Sequence, residues 1–191
     1  MDTTISHPRP GHAVFDTALG FMGLAWSAAG LTRVCLPEKS AAAAERRLLR
    51  LAGEGEAKGT VPEWVGALVA DIRRYAEGED VDFSAVPVDL SGVDDFCRDI
   101  YAAARGLGYG ETTTYGGLAE KSGHKGLFRE TGAALGANPV PLVIPCHRIL
   151  AAGGKIGGFS ATGGSATKER MLALEGVRVA PPPSTQASFG F

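Results

Sequence analysis

Cysteine is scarce in this 191-residue chain: there are three, Cys35, Cys97 and Cys146. They are widely spaced and odd in number, which argues against a disulfide framework and a C-x-x-C metal site. No metal and no cofactor are expected, and Cys35 and Cys97 read as small buried apolar residues. No apolar run approaches the roughly 18 residues a membrane helix needs. Residues 1–10 also lack the apolar segment of a secretion signal. The expectation is therefore a cytoplasmic protein with no membrane contact. Neither sign of charge dominates, and a net charge of −2 does not by itself suggest a nucleic-acid partner.

The charge is unevenly divided, however. Nine basic and thirteen acidic residues precede Val93, and ten basic and eight acidic residues follow from it, giving −4 and +2. A polyanion would favour the second half. With 45% hydrophobic and 21% charged residues, the chain has the composition of a globular protein able to bury a core.

The first half reads as a hairpin or meander, then helices. β-friendly runs at 13–20, 23–27 and 31–36 are separated by glycine turns. A helix capped by Ser40 is expected over 40–51, followed by a loop over 53–59. A second helix is expected over 62–77, with Trp64, Leu68, Ile72 and Tyr75 at helical spacing. Residues 81–90 suggest a short strand and a connector, and a domain boundary is placed near Ser91–Gly92.

After that boundary the pattern changes. A helix is expected over 94–106, with Phe96, Ile100, Tyr101 and Ala104 on one face. Short helices at 114–121 and 127–135, joined through Ser122–Gly123, have the form of a helix-turn-helix. Residues 149–160 suggest a Gly-Gly hairpin, or wing, leading into a flexible loop. A final helix is expected over 167–175, with Met171, Leu172 and Leu174 on its core face. The proline-rich tail, 180–191, reads as disordered.

The chemistry concentrates at 138–148, Asn-Pro-Val-Pro-Leu-Val-Ile-Pro-Cys-His-Arg. A thiol is a strong nucleophile only as thiolate, and an imidazole or cation nearby makes that form accessible. His147 and Arg148 lie within two residues of the sulfur, after an apolar strand-like run and Pro145. This run resembles the active-site motif of the O6-alkylguanine-DNA alkyltransferases, also called methylated-DNA–protein-cysteine methyltransferases. Further matches support the resemblance. Residues 110–119, Gly-Glu-Thr-Thr-Thr-Tyr-Gly-Gly-Leu-Ala, are similar to the family's Gly-Glu-x-x-x-Tyr-x-x-Leu-Ala signature. Arg129 stands at the family's arginine finger, Asn138 at its hinge asparagine and Glu175 at its helix-borne glutamate. Residues 157–160, Gly-Gly-Phe-Ser, resemble its active-site loop.

The resemblance implies an α+β fold: an N-terminal ribonuclease-H-like sheet-and-helix domain over 1–92, then a C-terminal winged-helix-like domain over 93–179 carrying the helix-turn-helix. It implies a monomer that binds double-stranded DNA containing alkylated guanine through the minor groove. The damaged base is flipped out, and its alkyl group, on guanine O6 and possibly on thymine O4, passes irreversibly to Cys146. His147 is then the base, Glu175 holds the imidazole and favours its cationic form, and Tyr115 donates to guanine N3. Arg129 fills the vacated stack. Thr114, Tyr115, Gly132 and Leu135 complete the DNA contact. Asn138, Pro145, Arg148, Ile149, Gly158, Phe159 and Ser160 shape the pocket.

Some positions depart from the family pattern. The loop at 161–166 is about two residues longer, Phe159 stands where tyrosine is common, and bulky or acidic Leu127, Phe128 and Glu130 flank Arg129. Bulk and negative charge there would lower DNA affinity or shift lesion preference. Taken singly, His147, Tyr115, Arg129 and Glu175 each suit an ordinary structural role. It is their joint order and spacing that favours an active site. Two other readings stay open: a lesion sensor that binds without transfer, similar to the alkyltransferase-like proteins, and a thiol hydrolase. The hydrolase requires the chain to turn at Cys146, because adjacent residues on a strand point to opposite faces.

Overall fold

A computed structural model of the chain describes residues 10–52 and 61–179. The expected loop over 53–59 and the proline-rich tail lie outside the described residues. Three strands, β1 (Gly11–Thr17), β2 (Gly20–Trp26) and β3 (Leu31–Glu38), form an antiparallel meander in the order β1-β2-β3. Both faces of this sheet are covered, so its central strand is apolar without a break. Leu24 and Trp26 of β2, with Val34 and Leu36 of β3, face the main core. Ala25 and Cys35 point the other way, against Leu48 of α1 (Ala41–Ala52). Gly23 permits that approach, since a Cβ there would stand 3.0 Å from the Leu48 Cδ2. As expected, Ser40 caps α1, accepting from the Ala43 N–H at 3.2 Å.

Helix α2 (Glu63–Ala76) buries Val65, Leu68, Ile72, Tyr75 and Ala76. Val65 takes the core position expected for Trp64, which is only partly buried. The chain then crosses to α3 (Asp95–Arg105) without forming the short strand expected in 81–90, and a single bridge joins Val88 to Leu31. Two arginines of α3 pin this crossing. Arg98 donates to the carbonyls of Val93 and Leu90, and Arg105 to those of Ser84 and Val86. Asp94 caps α3 through the Cys97 N–H at 2.9 Å. Cys97 is partly exposed there rather than buried.

Strand β4 (Thr113–Thr114) leads into α4 (Tyr115–Lys121), and α5 (Phe128–Gly136) follows after a glycine turn. This is the helix pair expected from the sequence. Tyr101, fully buried, donates from α3 to the Ala134 carbonyl of α5 at 2.8 Å. The segment expected to be strand-like before Cys146 is instead a tight turn, with Pro141 bridged to Ile144 and Leu142 at φ 77°. Prolines at 139, 141 and 145 remove the N–H groups a strand would need. Residues Cys146–Arg148 form a 3-10 turn that runs into β5 (Ile149–Leu150), which pairs in parallel with β4. The expected Gly-Gly hairpin closes on the Ala151 N–H to Lys155 carbonyl bond (2.8 Å) without a strand ladder. Helix α6 (Ser165–Leu174) completes the fold, burying Lys168, Met171 and Leu172, with Leu174 only partly covered.

One continuous core cluster runs from Phe15 to Met171 and draws on residues from both sides of Ser91–Gly92. Tyr101→Phe removes the single hydroxyl bond between α3 and α5 while keeping the ring. It should lower the unfolding free energy by about 1 kcal/mol, read as a shifted midpoint in urea denaturation at unchanged slope.

Candidate active site

Three separate stretches of sequence converge on Cys146. The prolines around it force the turn that presents the sulfur, and Leu142 holds a left-handed conformation that is costly for a branched residue. Asn138, two residues past the end of α5, locks this turn from within. Its side-chain amide donates to the Ile144 carbonyl (2.9 Å), while its oxygen accepts from the Val140 N–H (3.0 Å). Both side-chain bonds of Asn138 stay within the cysteine turn that follows α5.

Cys146 is 8% exposed and forms part of the wall of two cavities. One, about 590 Å3, opens between Tyr115, Arg129, Gly132 and the loop 157–160. This is within the range of small-ligand sites. The other, about 290 Å3, reaches the sulfur from the side of β3 and α1, past Asn138 and Pro141. Burial pushes the Cys146 thiol up, against a hydrogen bond with Asn138 and the field of Lys168, both of which lower it. The resting form is a thiol.

His147 is fully buried, and its Nε2 lies 2.7 Å from Glu175 Oε1. Its Nδ1 has no hydrogen-bond partner among the described residues. With the hydrogen on Nε2 facing the carboxylate, Nδ1 is left as a free base. Burial lowers the His147 pKa, outweighing the pull of Glu175, so the ring is neutral at rest. Glu175 does favour the cationic form, as expected, but burial outweighs it.

The cation at this site is Arg148. Its Nε and Nη2 donate to the two Glu175 oxygens at 2.9 and 3.0 Å, and its Nη1 donates to the Leu107 carbonyl. Arg148 therefore neutralises Glu175 and is not turned to the sulfur, as its nearness in sequence suggested. Burial alone pushes the Glu175 carboxyl up, but the bonds from His147 and Arg148 win and hold it at about 2. The Gly110 N–H adds a further bond at 3.1 Å.

The mouth of the larger cavity is built by Tyr115 and the loop after β5. The Tyr115 hydroxyl donates to the Gly158 carbonyl at 3.4 Å, a long bond that leaves it free to be captured. Gly157 makes room for that ring, since a Cβ there would stand 2.9 Å from its hydroxyl. Thr114 caps α4 through the Gly117 N–H (3.0 Å). The loop expected to be flexible is tied to the first half of the chain. Arg47 donates to the Ser160 carbonyl and to Thr162, and Thr162 in turn donates to the Glu38 carboxylate. Arg129 and Phe128 are exposed at the start of α5, the guanidinium 5.8 Å from the ring centroid. Leu135, expected on the DNA-facing surface, is 5% exposed and helps to wall both cavities, because this apolar side chain lies on the inner face of α5.

Two site residues escaped the sequence reading. Lys168 is fully buried, donates to the Ile149 carbonyl, and lies 5.7 and 6.0 Å from the Tyr115 and Phe159 ring centroids. Its signal was a charge on the same helical face as Met171 and Leu172. Tyr75 of α2 donates to Glu175 Oε1 at 3.0 Å. It carried no signal beyond core periodicity, because 100 positions separate the two residues.

The family described as "6-O-methylguanine DNA methyltransferase, DNA binding domain" matches residues 95–177. A methylated-DNA–protein-cysteine methyltransferase of Mycolicibacterium paratuberculosis is 39% identical over 114 residues, 60% of this chain and 67% of that protein. A protein of the same name from Methanothermobacter thermautotrophicus is 36% identical over 61% of this chain, the match spanning 64% of its own length. Another, from Methanopyrus kandleri, is 37% identical over 66% of this chain and 92% of its own length. A crystal structure of Mycobacterium tuberculosis OGT in complex with DNA superposes with a TM-score of 0.69 at 30% identity, covering 86% of this chain and 92% of that one. Mixed α/β architecture, cysteine turn and these relatives lead to one conclusion: the chain belongs to the methylated-DNA–protein-cysteine methyltransferases, DNA-repair enzymes named for moving a methyl group from DNA to a protein cysteine.

Proposed function

We propose that this protein repairs O6-alkylguanine in double-stranded DNA by moving the alkyl carbon onto Cys146, once per molecule, with O4-alkylthymine as a second candidate substrate. The observation that carries the reading is the sulfur at the wall of an open cavity, next in sequence to a buried imidazole whose Nδ1 is unpartnered. His147 Nδ1 takes the thiol proton through one water, and Glu175 and Arg148 hold the ring so that Nδ1 stays the basic atom. The thiolate attacks the alkyl carbon, so the C–S bond forms as the C–O6 bond breaks. The bonding electron pair passes to the purine, and the Tyr115 hydroxyl, released from Gly158, donates to N3 as that charge builds. The proton held on His147 is the one the purine needs to become neutral guanine, so the transfer leaves no new charge at the site. The product is a thioether, and no group at the site is placed to cleave it.

A guanine within a duplex must leave the stack first, at a cost of a few kcal/mol. Arg129, exposed at the start of α5, fills the gap while the helix lies in the minor groove, with Thr114, Tyr115 and Gly132 alongside. The backbone at Ile149 and Ser160 reads the base edge, and Pro145, Gly158 and Phe159 line its pocket. Lys168 adds positive charge beside the sulfur. In this reading residues 1–92 form the ribonuclease-H-like domain and 93–179 the winged-helix-like domain of a cytoplasmic monomer.

The direct test is mass spectrometry of the peptide carrying Cys146 after incubation with excess duplex containing O6-methylguanine. One methyl group should appear on Cys146, none in Cys146→Ala, and Cys146→Ala should still bind the duplex. A folded native protein without the adduct defeats the proposal. Arg129→Ala should slow repair of duplex at least about tenfold, which corresponds to about 1.4 kcal/mol of lost transition-state stabilisation. It should leave reaction with free O6-benzylguanine nearly unchanged. An equal loss on both substrates would remove Arg129 from base flipping. Only neutral His147 can accept the proton, and burial lowers its pKa. The single-turnover rate should therefore hold as pH falls through the ordinary histidine value of about 6.5 and drop only below it. Stopped-quench rates across pH check this.

A further inference from the structure

The ring of Tyr75 is 1% exposed and stands edge-on to His147, with centroids 6.4 Å apart. Phe83 and Tyr109 clamp its sides at 5.9 and 6.2 Å. Its hydroxyl donates to Glu175 Oε1 (3.0 Å), and its oxygen lies 3.4 Å from His147 Nε2. A phenol has one hydrogen to give. With that hydrogen on the carboxylate, its lone pairs are free to receive the Nε2 hydrogen of the imidazole. Glu175 Oε1 is thereby shared among three donors: Tyr75, His147 and Arg148.

We propose that Tyr75 is a positioning residue for the histidine–glutamate pair, fixing the imidazole hydrogen on Nε2 and tempering the pull of Glu175 so that His147 stays neutral until the thiol proton arrives. The proposal rests on His147 being the base that accepts this proton. The only route to a lone pair at Nδ1 in a neutral ring is a hydrogen on Nε2, and Nδ1 is the ring nitrogen left without a partner among the described residues. The charged and titratable groups around the ring come from four elements. Glu175 follows α6 and favours the imidazolium, while Arg148 on the cysteine turn and Lys168 in α6 oppose it. Tyr109, from the loop after α3, faces Tyr75 and Glu175, its hydroxyl donating to the Leu174 carbonyl at 2.7 Å with the Gly78 carbonyl 3.0 Å away. Burial and the Glu175 charge push the Tyr75 hydroxyl far above its ordinary range, so it remains a donor at every working pH. Without that hydroxyl, Glu175 has one donor fewer and becomes a stronger acceptor for the imidazole, which tips the ring toward its charged form. The residue that sets the protonation of the nucleophile's base therefore lies in α2, far in sequence from the cysteine motif.

Tyr75→Phe keeps the ring and its packing and removes only the hydroxyl. Single-turnover methyl transfer from an O6-methylguanine duplex, followed across pH, should show the acid limb moved up by about half to one unit, the size expected for one lost hydrogen bond to a carboxylate. Replacing Tyr75 by a ring-fluorinated tyrosine, a stronger donor, should move the limb the opposite way. Nitrogen-15 spectra of the His147 ring, which need no substrate, should show the Nε2–H tautomer in the native protein and, near the acid limb, a larger share of the doubly protonated ring in Tyr75→Phe. An unshifted acid limb with unchanged ring spectra in both variants overturns the proposal, as does a drop in stability with an unshifted limb. If the native protein forms no adduct, the alkyltransfer reading fails, while the ring spectra still decide whether Tyr75 sets the protonation of His147.

Discussion

The arrangement depends on one buried carboxylate. Glu175 accepts bonds from Tyr75, His147, Arg148 and the Gly110 backbone, which come from α2, the cysteine turn and the loop before α4. A charge taken out of water is tolerable only when it is paired and fully hydrogen-bonded. Removing one partner from such a buried pair costs about 3–5 kcal/mol, so Glu175 and Arg148 stand or fall together. The carboxylate stays ionised, the guanidinium balances it, and the imidazole between them is left neutral. In the proposed mechanism that division of charge makes His147 an acceptor of protons instead of a fixed cation.

The same low-polarity surroundings keep the sulfur quiet. Burial holds Cys146 as a thiol at rest, while Asn138 and Lys168 pull the other way. In the proposed mechanism Cys146 becomes reactive only when a substrate fills the cavity and its proton can move. Nearness in sequence misled here. Arg148 is two residues from the sulfur yet turned to Glu175, whereas Lys168, twenty-two positions on, is the cation whose field reaches Cys146.

Much of the architecture could be read from the sequence because its signals were local. The strands between glycine turns, the Ser40 cap and the paired helices at α4 and α5 all follow from neighbours a few residues apart. The residues at the mouth and floor of the cavity could be read only because they occur together in one order. Failures came where local patterns conflict or where the cause is distant. The apolar run 140–144 resembles a strand, but prolines on both sides deny it a hydrogen-bond ladder, and it folds as a turn. Leu135 looked like a surface contact because nothing in the sequence says which side of a short helix faces a cavity. Tyr75 and Lys168 each look like ordinary members of a helix, and their chemistry exists only through contacts across many residues.

The outer edge of β3 is not left open. Its Val34 N–H donates to the Pro139 carbonyl at 3.0 Å, and its first residue, Leu31, exchanges bonds with Pro87 and Asp89. Exposed strand edges invite pairing with other chains, and here a piece of the cysteine turn occupies that position. The small sheet and the nucleophile therefore share a seam. Fraying on that side of the meander would release the prolines that shape the turn, so the first half of the molecule acts as a splint for the Cys146 sulfur although, in the proposed reaction, it lends no atom to the bond that is made.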